Sequence, residues 1–172
     1  LSLVTNNAHI DSRIIFALVE AGFCDPLEQE HANVVGSVMH WACMTGRKDV
    51  VDFLAPRMPD HLNTPRRHDR LTPLAIAANL GYALIVGVLL DAGAAIDFSA
   101  QADKTTALMM TFMRPSMTFG DFKKSPAEKF VEREKEDREA TRMILLDRGA
   151  DVMVKNSEGR SAIDFFNLAG KR

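Results

Sequence analysis

The stretch Leu71-Thr72-Pro73-Leu74-Ala75-Ile76-Ala77-Ala78-Asn79-Leu80-Gly81-Tyr82, running on to Val88-Leu89-Leu90-Asp91-Ala92-Gly93-Ala94, decides how this chain folds. Pro73 opens a first helix, the small Ala77 and Ala78 let helices approach closely, and Gly81 makes a tight turn into a second. The same grammar recurs. Ser37, Thr72, Thr106 and Ser161 occupy one slot, and the steps between them are 35, 34 and 55 residues, the last being one repeat plus an insertion. A period of about 33 residues marks a solenoid, whose units bury their apolar faces only by stacking on one another.

Working outward, Asp11 to Gly22 reads as an amphipathic helix, with Ile14, Ile15, Leu18 and Val19 at helical spacing. The next unit is more degenerate. Ser37 to Gly46 supplies its first helix and Val50 to Leu54 its second, which Pro56 and Pro59 terminate. The third full unit opens at Asp103-Lys104-Thr105-Thr106 but departs after Met113, and its closing Leu145-Leu146-Asp147-Arg148-Gly149-Ala150 arrives about 22 residues late. The intervening loop carries Met117, Phe119 and Phe122. Ser125-Pro126-Ala127-Glu128 then reads as a capping box that starts a helix running to Arg148. Its early part, Glu132 to Glu139, is so charged that it is expected to project into solvent.

The Leu71–Ala94 run resembles the ankyrin family's Thr-Pro-Leu-His-x-Ala-Ala-x-x-Gly signature and its Leu-Leu-x-x-Gly-Ala end, and the resemblance covers nearly the whole chain. It implies an all-α ankyrin-repeat solenoid of helix-turn-helix units with short β-hairpin or loop tips. The expected division is an N-terminal half-repeat at 1–31, repeats at 32–66 and 67–100, a repeat at 101–155 with an insertion at about 115–137, and a C-terminal half-repeat at 156–172. Met58 stands where the family places a left-handed glycine, so the path from Pro56 to Pro65 is expected to be irregular. The chain begins at Leu1, midway through a repeat, which points to a piece of something longer.

Composition narrows the function classes. The chain has 172 residues, 47% hydrophobic and 26% charged, with a formal net charge of -2, which suits one soluble domain with a continuous core. A near-neutral balance argues against a nucleic-acid binder. Two cysteines, Cys24 and Cys43, make neither a disulfide framework nor a zinc cluster and fit a reducing compartment, so a cytoplasmic or nuclear setting is expected. No apolar run reaches membrane-span length. P-loop, nucleophile-elbow, zinc-protease and dinucleotide patterns are all lacking, so neither catalysis nor a cofactor or small-molecule substrate is expected.

The resemblance instead implies a module, monomeric alone, that binds another protein or peptide on the concave face of the stack. Carried over position by position, that face includes Met44, Thr45, Asp69, Arg70, Leu71, Asn79, Leu80, Thr105, Met113 and Arg114, with Phe119 and Phe122 of the insertion as a second contact or lid. Met44, Leu71, Leu80 and Met113 form an apolar stripe suited to a partner with apolar anchors. Two other readings compete with it: a regulatory or targeting domain of a larger enzyme or multidomain protein, and a scaffold whose inserted charged helix meets the partner.

Single residues carry further expectations. His40 falls where the family's histidine bonds neighbouring backbone and the hydroxyl in the threonine slot, here Ser37. Ala75, Met109 and Asp164 hold that position in the other units, so the polar ladder is expected to be broken. Arg66-Arg67-His68-Asp69-Arg70 is the densest basic run and reads as solvated loop charge at a hairpin tip, with phosphate or an acidic motif as the functional alternative. Cys43 sits in a small-residue slot and is expected to be buried and inert. Ser125, followed by proline, is a candidate phosphosite at a helix N-terminus.

Overall fold

A computed structural model describes residues 12–21, 36–67, 69–113 and 131–169. Arg114, Phe119, Phe122 and Ser125 lie outside these, as do Cys24 and His68. Among the described residues there are eight α-helices: α1 (Ser12–Glu20), α2 (Val38–Met44), α3 (Lys48–Leu54), α4 (Pro73–Leu80), α5 (Ala83–Asp91), α6 (Ala107–Met110), α7 (Val131–Asp147) and α8 (Ala162–Ala169). They stack in two layers. First helices α2, α4, α6 and α8 pack in sequence order, and second helices α1, α3, α5 and α7 form the parallel layer behind them.

Local chemistry explains the ends. Thr72 and Thr106 cap α4 and α6 by accepting from the N–H of Ala75 and Met109 at 3.2 and 3.4 Å. Gly81 takes the left-handed conformation (φ 77°) that turns α4 into α5, and its N–H is spent on the carbonyls of Ala77 and Ala78. The core runs through both layers along Met39, Val51, Leu54, Leu74, Ile76, Leu89, Leu108, Met109 and Leu145, each at most 2% exposed. Ala77 and Ala78 are fully buried, which lets the first helices approach closely. Phe16 of α1 stacks on Phe53 of α3 at 4.2 Å, attaching the first described helix to the stack.

Met58 is not left-handed (φ -133°); the chain leaves α3 through Ala55 and passes a 3-10 turn at Pro59–His61. From there each linker reaches the next unit by a side-chain bond. The carboxamide of Asn63 accepts from the N–H of Ala95 at 2.8 Å, across 32 residues, and the Asp97 carboxylate accepts from Asp151 at 3.2 Å, across 54. The larger separation contains the insertion, and the bond survives it.

The insertion alters the third unit. α6 has one helical turn, after which Thr111, Phe112 and Met113 continue with tight i to i−3 bonds. Pro115 stands where the preceding unit has Gly81, so this turn has no left-handed glycine to end on. Arginines from α7 meet the carbonyls left open. Arg142 Nη1 donates to Thr111 O at 3.3 Å, and Arg138 donates to Met113 O at 3.2 Å and Asn79 O at 3.0 Å. The expectation that residues 132–139 project into solvent therefore fails at Arg138, which is half-buried against the stack. Two guanidiniums thus satisfy three carbonyls near the C-terminal ends of first helices, where the helix dipole favours a cation.

Candidate interaction surface

His40 shows how the tips are anchored. Its ring is 1% exposed; Ser37 N–H and Oγ–H donate to Nδ1 at 3.1 and 2.7 Å, while Nε2–H donates to Thr64 O at 2.9 Å. Those bonds require the neutral imidazole, and burial drives its pKa down from 6.5 to about 4. The fourth unit keeps the device with other chemistry. Asp164 accepts from both the N–H and the hydroxyl of Ser161 at 2.8 Å, bonds that hold its carboxyl below the usual carboxylate range. So the ladder is interrupted at Ala75 and Met109 but resumes at Asp164, where a carboxylate replaces the imidazole.

Arg66 corrects the solvated-charge reading. Its side chain is 1% exposed and forks onto the Asp69 carboxylate, with Nε to Oδ1 at 2.7 Å and Nη2 to Oδ2, while Nη1 reaches Met44 Sδ at 3.6 Å. Asp69 Oδ1 also takes the Leu71 N–H, and Arg66 N–H closes on Leu71 O at 2.9 Å. The next tip repeats the turn: Asp103 accepts from the N–H and hydroxyl of Thr105 at 3.1 and 2.8 Å. Adjacent tips are joined. Gln101 Nε2 donates to Asp69 O at 3.4 Å, and Ser157 N–H donates to Asp103 O at 2.8 Å.

These bonds change the candidate surface. Leu71, Asn79 and Thr105 were expected on the partner face, but they are 5%, 3% and 1% exposed and belong to the interior. Leu71 is turned inward by the tip bonds to Asp69 and Arg66, and the Asn79 carboxamide donates to Met110 O at 3.3 Å. Met44, Leu80 and Met113 remain half-buried against the core, and Thr45 donates to Trp41 O at 2.8 Å. Asp69 is partly exposed yet engaged by Arg66.

Arg70 is exposed, and its backbone is left-handed (φ 60°). Lys104 repeats both properties one unit on (φ 55°), and at the matching place in the fourth tip stands Gly159 (φ 73°). A residue with a Cβ costs roughly 1–2 kcal/mol in that conformation, so two cations occupy positions that suit glycine. Sequence reading located Arg70 without this feature. The shared spacing of Arg70, Lys104 and Gly159, each two positions before the capping Thr72, Thr106 or Ser161, was the available signal.

Other chemistry finds little footing. Among the described residues no cluster of His, Cys, Asp and Glu could hold a metal ion, and no helix is long and apolar enough to cross a membrane. Cys43 is fully buried, which pushes its thiol pKa up and keeps it unreactive.

Two stacked layers of short antiparallel helices joined through capped, hydrogen-bonded tips define a helical repeat solenoid. The family model for ankyrin repeats, in three copies, matches residues 3–102, more than half of the chain, and the protein belongs to the ankyrin repeat family. No curated protein matches the chain. Ankyrin repeats are in general protein-interaction modules, and the family is typically non-catalytic.

Proposed function

We propose that this protein recognises another protein through the side of the stack formed by the hairpin tips and the ends of the first helices, without chemistry of its own. The observation that carries the reading is the bonded rail of tips, Asp69 to Gln101 and Asp103 to Ser157, which fixes outward side chains that the fold does not need. Behind the rail, Met44, Leu80 and Met113 give a partner half-open apolar footing at the ends of successive first helices. A fixed surface binds with less ordering cost than a mobile one.

The test compares capture of partners by the wild-type chain, by a Leu80→Glu, Met113→Glu variant, and by a Leu84→Glu control. Leu84 is 69% exposed at the start of α5, in the second layer. All three should keep their helical circular dichroism. Loss of capture in the first variant alone supports the reading; equal capture by all three, or loss only in the control, removes it.

A further inference from the structure

The carboxylates of Asp69 and Glu158 are paired with Arg66 and Arg160, and that of Asp103 keeps its charge but is turned onto the N–H and hydroxyl of its own tip's Thr105. The exposed cations Arg70 and Lys104 make no side-chain bond within the described structure. Arg70 and Lys104 thus outnumber the one tip carboxylate, Asp103, that is bonded to neutral donors alone, which gives these tips a positive excess on a chain whose net charge is -2. Both cations occupy the left-handed position where Gly159 stands in the fourth tip, a placement the fold itself would resist. Gln101 holds their two tips together, donating to Asp69 O while its own carbonyl accepts the Lys104 N–H.

The geometry points to an acidic, extended segment of a partner protein as what these tips recognise, with carboxylates three residues apart meeting Arg70 and Lys104. Stacked units lie about 8–10 Å apart, and three residues of extended chain in the polyproline II conformation, which returns every third side chain to the same face, span about 9 Å. This deepens the reading of the tip side as a recognition surface and rests on it. Arg70 supplies a planar fork for one carboxylate and Lys104 a point charge for the other.

The probe is a fluorescein-labelled peptide with glutamate at every third position among glycine and serine, followed by anisotropy at low salt and at physiological ionic strength. Wild type should bind, more weakly as salt rises. Arg70→Gly with Lys104→Gly should weaken binding by about tenfold or more while raising the melting temperature, since glycine suits both positions. An Arg57→Gln, Arg148→Gln variant carries the same change in net charge in the second layer, at the ends of α3 and α7, and should bind as wild type does. Undiminished binding by the glycine variant, equal loss in the charge control, or no salt-sensitive binding by wild type overturns the proposal. The two readings fail separately: partner capture that depends on Leu80 and Met113, with no peptide binding, removes the acidic segment alone.

Discussion

Arg70 and Lys104 set local backbone preference against what their side chains offer. Replacing either with glycine should stabilise the fold by about 1 kcal/mol, read as a higher urea midpoint. His40 gives a pH dependence of definite sign. The folded state keeps its imidazole neutral down to about pH 4, whereas the unfolded chain binds a proton near 6.5. The unfolded state therefore holds more protons in that window, and stability falls as pH drops through it, by roughly 3 kcal/mol at completion. Urea titrations from neutral pH downward should show this slope, and His40→Asn should flatten it. Leu71→Glu should cost about 3 kcal/mol or more by burying an unpaired carboxylate, whereas Leu80→Glu should leave the chain folded. Thr72, Pro73 and Gly81 were legible in the sequence because each acts on its own few residues. Leu71 was misread because its orientation is fixed by the Arg66–Asp69 pair, which composition alone presents as loop charge.

Among the elements, α7 departs furthest from its repeat. Its closing residues, Leu145 to Ala150, followed the family pattern and were readable, but the role of its arginines was not. Arg138 bonds Asn79 from 59 residues away and Met113 from 25, separations that leave no local periodicity. Charge density alone suggested a helix aimed at water. The bonds predict otherwise: Arg138→Met, which keeps an apolar stem, should cost about 1–3 kcal/mol. Amide exchange should quicken in the first described turns of α7 and around Phe112, while α4 and α5 stay protected. Unchanged exchange there would mean that the guanidinium contributes nothing to seating the helix. The pinning also weighs against a freely projecting helix as the working element, since Arg138 ties α7 to the first-helix layer.

At the scale of the whole molecule, two layers share the labour. Second helices and linkers hold register through bonds such as Asn63 to Ala95 and Asp97 to Asp151, so the insertion is absorbed without breaking the stack. First helices and tips present a rail whose spacing is set by the repeat itself. The period, visible as recurring Ser and Thr caps, revealed the stack from sequence, while the surface depended on which tip charges are paired, a three-dimensional property. The central claim is that recognition occurs on the tip side. Site-specific photocrosslinking tests it directly, with benzoylphenylalanine in place of exposed Ala102 on a tip or of exposed Leu84 in the second layer. In lysate the tip position should crosslink to a discrete partner and the Leu84 position should not; crosslinks from Leu84 alone would contradict the account.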